Sequence, residues 1–167
     1  MKKRVVVYWL IPAQPELELF RDIIRILAMQ FDAPRFEPHL TLGEAPDGSS
    51  ARRALKDIRF APLRLRVSGV SQSEKFTQTL IVQFAPNKTL DRLVNALGGS
   101  RPLRNPHLSL IYKRMPAPER RSLARAIRLP FRHVTFNRLK AVSCLVPVET
   151  TRDVKSWRAL ATRRLSS

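Results

Sequence analysis

Apolar and polar positions along this chain alternate between two rhythms, and the order of the rhythms repeats. Val5 to Leu10 is a β-branched and aromatic run that predicts a strand. Pro15, Glu16 and Glu18 then mark a helix start, with acids at the positive end of its dipole. Phe20, Ile23, Ile24, Leu27 and Phe31 follow at helical spacing and predict an amphipathic helix. A strand through Pro38 to Leu42 comes next, and Pro46, Asp47 and Gly48 break it. Ser50 is placed to cap a second helix, whose apolar face is Ala51, Ala54, Leu55 and Ile58. Leu63 to Val70 alternates as a strand does.

The second half follows the same order. Thr79 to Phe84 predicts a strand, and Leu90, Leu93, Val94 and Leu97 a helix closed by Gly98 and Gly99. A strand through Pro106 to Leu110 follows, then a helix opened by Pro118 and Glu119 with Leu123 and Ile127 inward. Val134 to Val148 holds one long or two shorter strands. Val154 to Leu160 reads as a final strand or a short helix, with Trp157 assigned to the core. Such a repeat predicts an α+β fold: bilobal, two antiparallel sheets related by a pseudo-two-fold axis, helices on the outer faces, and a central cleft. The whole chain, 1–167, is expected to form one domain, with lobes near 1–70 and 79–148 and a C-terminal segment 149–167. Ser71 to Gln78 links the lobes.

Composition narrows the setting. The chain has 167 residues, 44% of them hydrophobic, which suits a globular protein and argues against disorder. No apolar run is long enough to span a bilayer, so no membrane partner is expected. The basic start, Met1 to Arg4, precedes a short apolar run containing Tyr8 and Trp9, which reads as a first strand rather than a leader. The one cysteine, Cys144, has no partner for an internal disulfide, in keeping with a reducing cytoplasm. Charge changes the picture more. Thirty-one Lys and Arg, mostly Arg, stand against 13 Asp and Glu, a formal +18. Such a field attracts RNA, nucleotides and other anions. The basic residues are spread along the chain, so charge alone says nothing of chemistry.

The chemistry lies in a phrase written twice: PHLTL at Pro38 to Leu42 and PHLSL at Pro106 to Leu110. Residues two apart in a strand share a face. His39 and Thr41 therefore face one way while Leu40 and Leu42 face the other, and His107 and Ser109 oppose Leu108 and Leu110 in the same manner. The leucines can seat each strand on a core, and the pseudo-two-fold axis would bring the four polar groups together. In-line attack on a phosphodiester needs a base near the incoming water and an acid near the leaving oxygen, and histidine can be either near neutral pH. The hydroxyls of Thr41 and Ser109 can donate to non-bridging phosphate oxygens. His133-Val134-Thr135 has the same spacing without the proline, the leucines or a repeat partner, and reads as structural. Two other chemistries compete. His39 and His107 with Glu37 or Glu44 would make a metal site, but no close His pair or cysteine cluster supports one. Ser109 paired to His107 would make a nucleophile, but the two lie parallel on a strand and no orienting acid is evident.

FEPHLTL (Phe36 to Leu42) and PHLSLIY (Pro106 to Tyr112) resemble the paired signatures of the 2H phosphoesterases, more narrowly the cyclic phosphodiesterase branch related to the 2′-5′ RNA ligase-like proteins. The resemblance covers nearly the whole chain. It implies a phosphoric diester hydrolase that needs no metal and no cofactor. The substrate would be a 2′,3′-cyclic phosphate of a nucleotide or RNA end, or ADP-ribose 1″,2″-cyclic phosphate. His39 and His107 would be the acid/base pair, Thr41, Ser109 and Tyr112 phosphate ligands, and Phe76 part of the base or ribose pocket. A 2′-phosphate product is implied. The stretch from Asn87 to Asn105 is short for a long active-site loop. The other readings are an RNA-binding or RNA-end-binding module without turnover, and a 2′-5′ RNA end ligase. A cytoplasmic monomer is expected.

Overall fold

In the computed structural model, which describes residues 1–99 and 102–167, the elements run β1 (Lys3–Pro12), α1 (Glu16–Phe31), β2 (Leu40–Ala45), α2 (Gly48–Asp57), β3 (Leu63–Gln72), a 3-10 turn (Phe76–Gln78), β4 (Leu80–Phe84), α3 (Lys88–Ala96), β5 (His107–Ile111), α4 (Ala117–Ala126), β6 (His133–Val146), α5 (Thr151–Lys155) and β7 (Arg158–Arg164). The fold is α+β. Every strand pair is antiparallel, in the order β1-β2-β5-β4-β3-β6-β7 with a further β1–β6 pairing. The two arms expected as separate sheets are thus hydrogen-bonded into one. They join at two places: β2 meets β5 at the single pair Leu40–Leu108, and β3 meets β6 along Leu63–Arg66 and His133–Phe136.

The sequence repeat and the sheet arms do not coincide. The last strand of each half crosses over. β3 pairs with β4 of the second half, and the far end of β6 pairs with β1 of the first. Phe136 is the crossing point, registered with Leu63 on β3 and with Pro12 on β1. Its ring is fully buried and packs edge-on against Phe84 at 5.5 Å.

One face of this sheet carries the main core. Leu10, Leu40, Leu65, Val82, Leu108 and Phe136 meet Phe20 and Leu27 of α1, Ala51 and Leu55 of α2, and Leu90 and Leu93 of α3. Helix α4 buries no residue fully, and Leu123 and Ile127 lean on the core half-covered. The helix ends follow local chemistry. Asp47, not Ser50, caps α2, because its carboxylate accepts the Ser50 N–H at 2.7 Å. Asn87 caps α3 in the same way. Gly98 closes α3 with φ +97, a left-handed position that favours glycine. The C-terminal segment holds both alternatives, the short helix α5 and then the strand β7.

Because Phe136 ties the arms through both neighbours, Phe136→Ala should destabilise the protein by about 3–5 kcal/mol. Chemical denaturation of the two proteins checks this.

Candidate active site

The face opposite the main core has its own small clusters. On β1, Val7, Trp9 and Ile11 point there, joined by Val142 and Cys144 of β6. Beyond them, Phe76, Tyr112 and Val154 form a second cluster with Phe36, Val148 and Trp157. Between lies a pocket of about 250 Å³ whose wall includes His39, Thr41, His107, Ser109 and Tyr112. The register explains the convergence. Leu40 and Leu108 are paired and buried on the core side. Continuing that antiparallel register sets His39 across from Ser109 and Thr41 across from His107, on the other face. His133 is elsewhere, opposite Arg66 on β3.

Both histidines are oriented by the same device. His39 Nδ1 lies 2.6 Å from the Glu37 carbonyl, and His107 Nδ1 lies 2.8 Å from the Asn105 carbonyl. A carbonyl only accepts, so each Nδ1 carries the proton and each Nε2 is the ring nitrogen left for chemistry. Their surroundings differ. His39 is 4% exposed, whereas His107 is half-buried. The indole of Trp9 stacks on His39 at 3.7 Å, and Phe36 and Trp157 meet it edge-on at 6.1 and 5.6 Å. Burial lowers the His39 pKa to about 4, opposed by the Glu37 carbonyl and aided by His107. At neutral pH the His39 imidazole is therefore uncharged.

The hydroxyls also differ. Thr41 is exposed. Ser109 is buried, and its Oγ donates to the Thr77 carbonyl at 2.7 Å. Tyr112 is buried, and burial pushes its phenol up to about 12 against a hydrogen bond with Ser109. It stays protonated. Cys144 on the pocket wall is pushed up to about 11, chiefly by burial, and stays a neutral thiol. No Lys or Arg lines the pocket among the described residues. Nor do the described residues hold a group of three His, Cys, Asp or Glu able to ligate a metal.

Phe76, expected in the base or ribose pocket, lines a groove beside the pocket wall that holds the histidines. It starts the 3-10 turn that the Thr79 hydroxyl ties through the carbonyls of Lys75, Phe76 and Lys113. That turn tucks the ring inward, 5.9 Å from Tyr112, and it lines a neighbouring open groove with Lys75, Thr77 and Arg114. Trp157, assigned to the core from sequence, instead lines the pocket. Trp9 was not singled out as a site residue, and Glu37 was weighed only as a metal ligand. The register of Trp9 against Thr41 places it there, and no sequence pattern displays that pairing.

No protein-family model matches the chain, and no curated protein matches it. Solved structures do match in fold. Escherichia coli LigT complexed with NADP+ aligns at TM-score 0.57 and 16% identity, over 98% of this chain and 99% of that one. TT0787 of Thermus thermophilus aligns at TM-score 0.57 and 16% identity, over 96% and 97%. LigT complexed with 3′-AMP aligns at TM-score 0.56 and 18% identity, over 98% and 99%. No described helix is long and apolar enough to cross a membrane.

The burial of His39 has a measurable cost. Unfolded histidine takes a proton near pH 6.5, while folded His39 resists until about 4. Between these values the unfolded chain binds more protons, so stability falls as pH drops from 6.5 toward 4. The His39 contribution is of order 3 kcal/mol. Denaturation across this pH range should show the loss, and His39→Gln should lack that component.

Proposed function

We propose that this chain is a 2H phosphoesterase, a cyclic phosphodiesterase that hydrolyses 2′,3′-cyclic phosphates of nucleotides or RNA ends. The convergence of His39, Thr41, His107 and Ser109 on one pocket carries this reading. Fold neighbours support it, since LigT has been crystallised with 3′-AMP, with ATP and with phosphate.

In this reading His39, neutral and with Nε2 free, takes a proton from water as the water oxygen bonds to phosphorus. His107, nearer solvent, delivers a proton to the ribose oxygen as its bond to phosphorus breaks. By the resemblance this is the 3′-oxygen, leaving a 2′-phosphate. Solvent returns the proton to His107 and removes the one on His39. Thr41 donates to a non-bridging oxygen, and Ser109 does so once its hydroxyl turns from the Thr77 carbonyl. Tyr112, held protonated by burial, offers a further donor to the phosphate. Phe76 supports the groove beside the pocket, where the base or ribose would extend. The histidines do the work that a metal-bound water would otherwise do, and no step calls for a cofactor.

The test is hydrolysis of 2′,3′-cyclic CMP, and of a short RNA ending in a 2′,3′-cyclic phosphate, with EDTA present. His39→Ala and His107→Ala should each lower kcat/KM by about 100-fold or more. Thr41→Ala should cost roughly 10-fold or more. Wild-type protein that binds either substrate and leaves it intact would overturn the hydrolase and favour end binding without turnover. A joined product from paired RNA halves would favour ligation.

A further inference from the structure

We propose that Lys140 and Glu37 are a positioning pair for His39, holding the Phe36–Pro38 segment so that the Glu37 carbonyl presses the imidazole against Trp9. Lys140 Nζ lies 2.8 Å from the Glu37 carboxylate, with the side chains only 18% and 26% exposed. Lys140 is also the residue of β6 registered directly opposite Trp9 on β1. Lys140 thus holds the side chain of the residue whose carbonyl meets Nδ1, and is in register with the residue whose indole stacks on the ring.

The other described ion pairs lie elsewhere. Two bridge one turn of α1 on its surface, and two join Lys2 to Glu149 and Asp153 at the start of α5. The second half has no equivalent among the described residues. There the carbonyl holding His107 belongs to Asn105, whose side chain has only a long 3.4 Å contact with Gln83. The position matching Trp9, opposite Ser109 rather than Thr41, is Ile81. A largely buried ion pair adds little net stability once its desolvation is counted. Its consequence here is geometric: it gives one of two similar histidines a fixed, dry setting.

The inference rests on the role of His39 as base, and its test is chosen to be read without turnover. The titratable groups facing His39 are Glu37 on its own segment, His107 on β5, Tyr112 just beyond β5, and Cys144 on β6. In Lys140→Met of the full chain, the loosened ring gains water, which raises its affinity for protons, and loses its hold on the Glu37 carbonyl, which lowers it; desolvation is the larger influence, so the net shift is upward. NMR titration of the ring nitrogens should show His39 taking its proton at least one pH unit higher than in wild type. Lys140→Arg should restore the wild-type titration. With 2′,3′-cyclic CMP, kcat should fall about 10-fold with KM within twofold, and the acid limb of kcat/KM should move up with the ring. If Lys140→Met fails to fold, Lys140→Ala, which likewise removes the donor toward Glu37, is read in the same way. A folded variant whose His39 titration is unchanged overturns the proposal, as does lost thermal stability with the titration unmoved. Wild-type protein without hydrolysis would count against the proposed function, while the ring titration would still decide the pair.

Discussion

A single registered pair, Leu40 opposite Leu108, sets the geometry on which the candidate chemistry depends. Both leucines are fully buried, so neither strand can slip by one residue without turning its leucines to solvent and its histidine into the core. Hydrophobic burial thereby enforces a polar arrangement on the reverse face. The strands barely touch, yet that contact brings two histidines and two hydroxyls to one pocket. Packing of α1, α2 and α3 on the leucine side serves the same constraint from behind.

A symmetric frame is a difficulty for acid/base work, because identical settings give identical proton affinities. Here the frame is nearly symmetric and its decoration is not. Both rings are oriented through Nδ1 by the carbonyl two residues earlier. One then lies among Trp9, Phe36 and Trp157, and the other stands half in water. Desolvation lowers the proton affinity of His39, in a setting the repeated phrase does not display. The strongly basic composition takes no part in this, since the described pocket wall has no Lys or Arg.

Much of this was legible in the chain because it depends on local periodicity. Alternation placed His39 with Thr41 and His107 with Ser109 on shared faces, and helical spacing found α1 and α3 from their buried residues. What escaped depends on pairing between distant segments. Trp9 meets His39 only through the bulged β1–β2 register, and Trp157 reaches the pocket only because α5 turns the chain back. Phe76 was placed by resemblance alone, and its ring is buried 5.9 Å from Tyr112. Glu37 gave no sign of its ion pair because its partner, Lys140, lies far along the chain. The start of α2 shows a smaller case: Asp47 and Ser50 both suit a cap, and backbone geometry chose the carboxylate.

The exchange of last strands has a further consequence, for synthesis. When the first half leaves the ribosome, β1 lacks β6 and β3 lacks both its neighbours, β4 and β6. Those edges stay open until nearly the whole chain is available, because β6 supplies pairing to both arms. Neither duplicate can close a sheet alone, so the repeat is no longer divisible into independent units. Long-range pairing of this kind slows folding and leaves unpaired strand edges exposed meanwhile. The two histidines share one pocket in a sheet whose arms are both bounded by the last long strand.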